Sequence, residues 1–386
     1  MNLSGTNIGT LFGVSVLSFR RILQVSAALL YGLKILMQQY TPKQLALSAL
    51  IFGIALLTTR ATGDFKLLWL ALFVVAGKDA RFRPIAMIVF IVTGFILVCT
   101  VSGYLAGLIP SADVMSMDGS KMRMAMGFGH PNRFGATILA IACSYLALRF
   151  PKIRVWDIGP IAISLYTIIS ISGSRTAALS IAIIALVFII GQFCLKTGKT
   201  ESLLKILFCA AIMTVLGALY LTAYYDPSVA WESTLNNLLT GRLRLAHYYY
   251  VNGSITLFGT DYADSNMIQF GENADTFVVD NAYARLLVRY GIVPTIMLLT
   301  GYICLFVKAL KEGALGACLL GFSSFVFIGF SESYVLDIST NYFLMGLSAV
   351  LFSEPLAHAE HSIPRIEPSK ARTPHDRIPS SSSAKW

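Results

Sequence analysis

Arg175 is the residue whose position in this sequence most needs a chemical explanation. It lies in the stretch Ile171-Ser172-Gly173-Ser174-Arg175-Thr176-Ala177 and is the only charged residue among the 38 between Asp157 and Lys196. An arginine at the centre of a lipid-embedded helix costs roughly 2.5–3.5 kcal/mol. Because the small residues 172–174 predict a hairpin, Arg175 should begin a helix at the membrane surface, beside Ser174 and free helix amides. These donors predict an anion site; the alternative is an arginine that only anchors the helix end.

Two more arginines, Arg242 and Arg244, follow a glycine in the stretch 239–245. A guanidinium group is permanently charged and donates paired hydrogen bonds, so Arg242 converging with Arg175 would suit a diphosphate. The alternative is an amphipathic helix in the membrane interface, with both arginines among the lipid headgroups and Tyr248–Tyr250 as an aromatic belt. The spacing alone leaves both interpretations open.

The stretch 279–291 combines a carboxylate, an amide, a tyrosine and two arginines. Asp280 suits a helix N-cap and Gly291 a helix terminator, which predicts a short helix between them. Asp280 is therefore either a cap only or also a carboxylate that accepts a proton from a sugar hydroxyl. We take Asp280 as a candidate catalytic residue. The candidate substrate-binding residues of this stretch are Asn281, Tyr283, Arg285 and Arg289, of which the two arginines should share a helix face.

A third candidate stretch, 129–135, places His130, Asn132 and Arg133 just before an apolar segment. Proline after the histidine favours an extended backbone, and Asn132 is expected to cap the following helix. His130 is the candidate titrating group, because three of the other histidines fall in the C-terminal tail and only His247 competes with it. The structural alternative is a turn and a cap without a ligand. Asn132, Arg133, Ser174 and Arg244 complete the candidate substrate-binding set.

The composition predicts an all-α polytopic membrane protein that holds these stretches. Hydrophobic residues make up 56% of the 386 positions and charged residues 13%, about half of what a soluble domain carries. Apolar runs of the length of a membrane-crossing helix recur along the chain, and we expect 10–12 transmembrane helices. The six cysteines lie in apolar runs without metal-ligand spacing, so they predict neither a disulfide frame nor a zinc site. The net charge of +10 is explained by cytoplasmic loops rather than by nucleic-acid binding.

Basic residues fix the predicted orientation. The clusters that begin at Lys78, Arg149, Lys196 and Lys308 are separated by even numbers of spans, so they share one face, which the positive-inside rule makes cytoplasmic. No lysine occurs between Lys205 and Lys308, and the long stretch 223–290 should form an ordered external domain with short helices. The predicted organisation is N-terminal spans 1–104, external loop 105–134, central spans 135–222, external domain 223–290, C-terminal spans 291–353 and a disordered cytoplasmic tail 354–386.

Four of these stretches, in this order in a many-span protein, resemble the O-antigen ligase and polymerase superfamily. The closer likeness is to Wzy-type polymerases of capsular or exopolysaccharide assembly. Similar proteins carry a Gly-His-Pro-Asn-x-Phe-Gly-like segment, a Ser-Gly-Ser-Arg-Thr hairpin, a Gly-Arg in a large external loop, and a His-Asn or Asp-Asn followed by tyrosine and glycine; the matching positions are 127–135, 172–176, 241–242 and 280–291. The likeness covers most of 120–310.

The resemblance implies a glycosyltransferase of the bacterial cytoplasmic membrane that needs no metal and no cofactor. Such polymerases join oligosaccharide repeat units carried on polyprenyl (undecaprenyl) diphosphate at the external face, using one lipid-linked unit as donor and another as acceptor. Arg175 and Arg242 match the arginines that stabilise the departing diphosphate. The resemblance also implies a flippase and a chain-length regulator as candidate partners. The ligase branch has His-Asn where this chain has Asp280-Asn281, which tilts the prediction toward a polymerase.

Two rival functions are consistent with the same spans. A ligase would move the glycan onto a different acceptor, and the sequence does not name that acceptor. A flippase or transporter would move the lipid-linked sugar without elongating it, but such proteins tend to contain inverted repeats and broken helices at the bilayer midplane. This sequence has no convincing internal repeat, and most of its charges sit at the ends of the apolar segments. We therefore predict the polymerase.

Overall fold

The computed structural model describes residues 6–7, 9, 16–115, 121–261, 267–270, 273–276 and 279–356. The first third of the chain forms four helices: α1 (Val16–Leu36), α2 (Pro42–Thr62), α3 (Lys66–Ala76) and α4 (Phe82–Leu105). Thr41 caps α2 by accepting a hydrogen bond from the Gln44 amide, while the Gln44 side chain accepts one from the Thr41 amide. This reciprocal capping box fixes where α2 begins.

A short hairpin and four further helices form the middle of the chain. Strands β1 (Val114–Met115) and β2 (Met122–Arg123) pair antiparallel and precede α5 (Pro131–Arg149), α6 (Ile158–Thr167), α7 (Arg175–Lys196) and α8 (Thr200–Tyr224). A π-helical turn, Ile168–Ser172, continues α6 up to the start of α7. The predicted break of the long apolar run at 172–174 is confirmed. A single helix over that run would have been about 57 Å long, too long for one crossing.

The predicted external stretch contains short elements in its described part. These are α9 (Ala230–Leu238), α10 (Arg242–Asn252), the antiparallel strands β3 (Met267–Phe270) and β4 (Asn273–Thr276), and α11 (Ala282–Arg285), which continues as a π-helical turn over Leu286–Tyr290. The chain then forms α12 (Ile292–Glu312), α13 (Ala317–Ile328) and α14 (Gly346–Leu351), with 3₁₀ turns at Ser333–Leu336 and Tyr342–Met345.

The prediction of an all-α polytopic membrane protein is confirmed. Within the described ranges, six helices are long and apolar enough to cross a bilayer: α2, α4, α7, α8, α12 and the segment Val155–Ser172 that contains α6. Further apolar helices, among them α3 and α13, are shorter than 18 residues. The figure of 10–12 spans stays a prediction. The predicted tail lies outside the described residues from 357 onward.

Helix α13 occupies the centre of the bundle. All but one of its residues are buried, and it packs against α5, α7 and α8. Gly191 of α7 allows this close approach, because a Cβ at that position would lie 2.6 Å from Leu320. With 12 residues, α13 is only about 18 Å long, so it fills the core without crossing a full hydrocarbon layer.

The two ends of the bundle carry different groups. At one end, called the site end below, the starts of α5, α7 and α10 lie beside Asp280 and the loop that follows α13. At the opposite end, Lys78 and Asp79 lie beside the residues that follow α14, where the Glu354 carboxylate accepts a hydrogen bond from the Asp79 amide. The candidate residues that the resemblance singled out therefore share one end.

Candidate functional site

Arg175 begins α7 at the site end. The chain enters α7 through Gly173, whose φ of 59° lies in the left-handed region that glycine adopts without strain. The Arg175 side chain is exposed, and its guanidinium has no hydrogen-bond or ion-pair partner in the parts of the chain that the structure describes. Ser174 is 3% exposed, and its hydroxyl also lacks a hydrogen-bond partner among the described residues. The Arg175 guanidinium at the start of α7 is thus left for a ligand, whereas the Ser174 hydroxyl is enclosed by the protein.

Arg242 begins α10 and joins four segments of the chain. Its Nη2 atom lies 2.9 Å from Oδ2 of Asp280 and 3.4 Å from Oγ1 of Thr176, the residue after Arg175. Its Nη1 atom donates to Oε1 of Glu332 at 3.0 Å and to the carbonyl of Ser331. The side chain is only 12% exposed. The structure therefore places Arg242 beside the start of α7.

The two predicted catalytic arginines differ in their surroundings. Burial opposes the charge on Arg242, but the carboxylates of Glu332 and Asp280 outweigh it and raise the pKa of this guanidinium. Arg242 is therefore a cation held in place by two acidic residues. Arg175 is a hydrated cation without such a partner among the described residues.

Asp280 is paired with Arg242 in this structure, so a role as base requires that a ligand take over that contact. Asn281, rather than Asp280, caps α11: its Oδ1 atom accepts from the amides of Tyr283 and Ala284 at 3.0 Å. The expectation that Asp280 caps this helix was wrong. Tyr283 is 1% exposed and donates from its hydroxyl to the carbonyl of Val326 at 2.6 Å. Both Asn281 and Tyr283 thus hold the site end together from within the core.

His130 caps α5, and Asn132 is already the second residue of that helix. The expectation that Asn132 is the cap was wrong, because Nδ1 of His130 accepts the Asn132 amide at 3.1 Å. The neutral ring then carries its hydrogen on Nε2, so His130 donates at Nε2 and does not accept a proton there. Burial, followed by the charges of Arg123 and Arg133, lowers the pKa of His130. Arg133 itself is exposed.

Arg123 is a site residue that sequence reasoning missed. Its Nε atom donates to the carbonyl of Ser172 at 2.9 Å and its Nη2 atom to Oδ1 of Asn132 at 2.5 Å, so it ties β2 to the starts of α7 and α5. The side chain also covers Gly173, where a Cβ would lie 3.2 Å from Cγ of Arg123. Burial, followed by the positive charge of Arg242, lowers the pKa of Arg123.

Glu332 and Tyr334 were also missed. Glu332 is 3% exposed and binds Arg242, and partly buried Tyr334 lies two positions further along the chain. Burial, followed by the negative charges of Glu332 and Asp280, raises the pKa of Tyr334 well above its usual value. Glu332 had a usable signal: together with Asp337 it is one of two charged residues in the apolar region between Glu312 and Glu354.

Arg285 and Arg289 lie in a different group of charges, the Asp64 cluster, which consists of Asp64, Arg285, Arg289 and Tyr290. Oδ2 of Asp64 lies 3.7 Å from Nη2 of Arg285, 3.4 Å from Nε of Arg289 and 2.7 Å from the Tyr290 hydroxyl. Arg285 is 5% and Arg289 9% exposed. The structure brings these two candidates to the connection between α2 and α3 rather than to Arg242. Arg244 is exposed, and its amide donates to Oδ1 of Asn236 at 3.0 Å.

Six charged residues around the start of α7 are called the Arg242 cluster below: Arg123, Arg133, Arg175, Arg242, Asp280 and Glu332. Within this set, four guanidinium groups stand against two carboxylates, an excess of two positive charges. The start of α7 adds the partial positive charge of its amides. No group of three or more histidine, cysteine, aspartate or glutamate residues in the described ranges is arranged to hold a metal ion. The arrangement can bind and stabilise an anion.

No protein-family model, curated protein or solved structure matches this chain.

Proposed function

We propose that this protein is a membrane glycosyltransferase that polymerises oligosaccharide repeat units carried on polyprenyl diphosphate. The observation that carries the proposal is the contact of Arg242 with Thr176 and Asp280, which joins three of the four predicted motifs at one end of a lipid-embedded bundle. In this proposal the bundle lies in a bacterial cytoplasmic membrane with the site end external. The donor and acceptor are both lipid-linked, so their tails stay in the bilayer while their diphosphates meet the site end.

The charge of the Arg242 cluster suits this ligand. A lipid-linked sugar diphosphate carries a negative charge on each phosphate, which matches the excess of two guanidinium groups. Exposed Arg175 and Arg133 supply donors, and Arg242 offers a fixed charge beside the start of α7. Guanidinium groups bind phosphate oxygens through paired hydrogen bonds, and their stabilisation grows as negative charge develops on the leaving group. No metal is needed for that role.

The reaction can be written with the residues at hand. The acceptor hydroxyl oxygen bonds to the anomeric carbon of the growing chain, while the bond from that carbon to the diphosphate oxygen breaks. The electron pair leaves on the diphosphate, where Arg175 and Arg242 stabilise it. Asp280 takes the hydroxyl proton once the donor diphosphate replaces it on Arg242. His130 donates from Nε2 to a substrate oxygen, since Nδ1 already accepts the Asn132 amide.

The test is elongation by the purified protein. Reconstituted protein is incubated with polyprenyl-diphosphate-linked repeat units in the presence of a chelator, and the products are separated by length. A ladder of longer glycans supports the proposal. Transfer only to a different acceptor would support a ligase, and movement of the lipid-linked unit across the bilayer without elongation would support a flippase. Either result contradicts the polymerase.

Arg242→Lys tests the site within that assay. Lysine keeps the charge but cannot hold the Glu332 carboxylate and a phosphate in a fixed plane, so elongation should fall on the order of 10²-fold. The matched control is Arg83→Lys, because Arg83 is an exposed arginine near the start of α4, at the opposite end of the bundle. Both variants are first checked for a single symmetric peak in size-exclusion chromatography. Equal elongation by the two variants would remove Arg242 from the catalytic site.

A further inference from the structure

Helix α9 presents an uncharged face away from the rest of the protein. Trp231 is 55% and Leu238 76% exposed, and exposed Thr234 lies between them on the same face. The polar residues Glu232 and Asn236 point the other way and are buried. Glu232 accepts the Asp226 amide at 2.8 Å and Asn236 accepts the Arg244 amide at 3.0 Å. Two polar side chains of α9 are therefore buried, while its largest apolar side chains, Trp231 and Leu238, are exposed.

The packing of α9 sets its level along the bundle. Its residues Leu235 and Leu239 pack against the apolar cluster of Leu221, Tyr225 and Leu243, of which Leu221 lies in the last turn of α8. Glu232 of α9 also accepts the amide of Asp226, two residues after α8 ends, so α9 lies beside the last turn of α8. This last turn also carries Tyr220 and Tyr224, which are 56% and 69% exposed and whose ring centroids lie 5.3 Å apart.

Exposed tyrosines at the end of a membrane-crossing helix mark the boundary between hydrocarbon and headgroups. Helix α8 is one of the helices that can cross the bilayer, so Tyr220 and Tyr224 place this boundary at its last turn. Trp231 and Leu238 lie at the same level on the neighbouring helix. An indole ring prefers the same headgroup region.

We propose that α9 is an interfacial helix that inserts Trp231 and Leu238 into the headgroup region of the bilayer. Three side chains are too small a surface for a stable protein interface, which buries about 800 Å² on each partner. The face carries no charge that would select a protein partner, and α9 follows the exposed Tyr224 at the end of α8 after five connecting residues. The bilayer surface is therefore the partner that fits.

The insertion of α9 would fix the depth of Arg242 relative to the bilayer. Two residues in the left-handed region, Thr240 and Gly241, turn the chain from the end of α9 into the start of α10. Leu243, one residue after Arg242, packs into the same apolar cluster as Leu235 and Leu239. An anchored α9 would thus hold the Arg242 guanidinium at the level of the lipid phosphates, whatever reaction the site performs.

The test measures the depth of Trp231 by fluorescence. Trp69, Trp156 and Trp386 are replaced by phenylalanine, and the protein is reconstituted into phosphatidylcholine vesicles whose acyl chains carry bromine near the headgroup or near the chain end. We expect the shallow bromine to quench Trp231 at least two-fold more than the deep one, and acrylamide in the water phase to quench it weakly.

The matched control moves the indole to another face of the same helix. In the same background, Trp231→Phe is combined with Asn237→Trp, because Asn237 is exposed but lies off the Trp231–Leu238 face. The control should be quenched mainly by acrylamide. The proposal is overturned if acrylamide quenches Trp231 as strongly as the control, which would place the face in water. It is also overturned if neither quencher reaches Trp231, which would mean that protein covers it.

Discussion

The Arg242 cluster and the Asp64 cluster both lie at the site end, yet their arginines differ in burial and in the number of carboxylate partners. In the Asp64 cluster two arginines, each less than a tenth exposed, share one carboxylate that also accepts from Tyr290. In the Arg242 cluster one arginine is held by two carboxylates, while Arg175 and Arg133 are exposed. The first arrangement binds parts of the chain to each other. The second leaves positive charge for a ligand.

The difference follows from what desolvation costs a charge. A buried guanidinium that loses its carboxylate is strongly destabilising, so arginines in that position are fixed by folding. An exposed guanidinium keeps its hydration and contributes little to stability, so its position needs another explanation. Burial and partners, rather than the residue type, therefore separate the structural arginines from the candidate functional ones. Substitutions in the two clusters should accordingly affect different measurements.

Of the substitutions considered, Asp64→Asn should give the largest effect, which is a loss of stability. Asparagine keeps the size of the side chain, but the two buried guanidinium groups lose the charge that they share, which should cost about 3–5 kcal/mol in the free energy of unfolding. The measurement is reversible unfolding in detergent micelles. The control is Glu201→Gln, which removes an exposed ion pair with Lys205 and should cost at most about 1 kcal/mol. Equal effects of the two substitutions would mean that the Asp64 cluster does not hold the fold.

Arg175→Ala should give the opposite result to Asp64→Asn: stability should hardly change, and activity should fall. Because its guanidinium is exposed and forms no hydrogen bond or ion pair with the described part of the chain, the free energy of unfolding should stay within about 0.5 kcal/mol of the unsubstituted protein. Under the proposed function, elongation should fall by about 10²–10³-fold, the usual loss for one donor to a developing negative charge. Arg83→Ala is the matched control for both measurements. If Arg175→Ala elongates normally, the exposed arginine is only an anchor at the helix end.

Arg123→Ala should have a smaller and local effect. It removes charge-assisted hydrogen bonds to the Ser172 carbonyl and to Asn132, together worth about 1.5–3 kcal/mol of local stability. Hydrogen exchange of the amides of residues 172–176 should accelerate, while exchange in α13 should not change. Met122→Ala, at an exposed neighbour in the same strand, is the control. Unchanged exchange at 172–176 would mean that the β1–β2 hairpin does not hold the start of α7.

Local signals predicted the hairpin at 172–174 and the membrane class. An isolated charge in an apolar run and a Ser-Gly-Ser break are properties of a short stretch, and the structure places a left-handed Gly173 and the start of α7 there. Partners distant in sequence could not be predicted in the same way. Nothing near Arg285 or Arg289 indicates Asp64, more than 200 positions away. Their spacing correctly indicated a shared helix face, but only tertiary contacts show that this face is buried.

The His130 cap shows a different limit of the sequence. Asn132 has the better intrinsic preference for a cap, but Pro131 occupies the first turn of α5 and moves the cap to the residue before it. At that position the imidazole Nδ1 accepts the free amide instead of an asparagine oxygen. This hydrogen bond also decides the role of His130 in the proposed reaction. Because Nδ1 accepts the amide, the neutral ring is a donor at Nε2 and not the general base.

His130→Asn should give the smallest effect, and only below neutral pH. Burial and the charges of Arg123 and Arg133 lower the pKa of His130 in the folded protein, whereas the unfolded chain titrates near the ordinary value of 6.5. The folded state therefore binds fewer protons than the unfolded state in this range. The contribution of His130 to stability is complete above pH 6.5 and decreases as the pH falls through 6.5 toward the lower folded pKa.

An asparagine at this position can accept the same amide through its side-chain oxygen but does not titrate, so the substitution should flatten the pH dependence while leaving the cap in place. Unfolding of both proteins is followed from pH 8 to pH 5. Their free energies of unfolding should agree at pH 8 and diverge below pH 6.5, where the variant becomes the more stable of the two. A parallel pair of curves would show that protonation of the ring does not break the Asn132 contact, and His130 would then be a candidate for the proton-carrying group at the site after all.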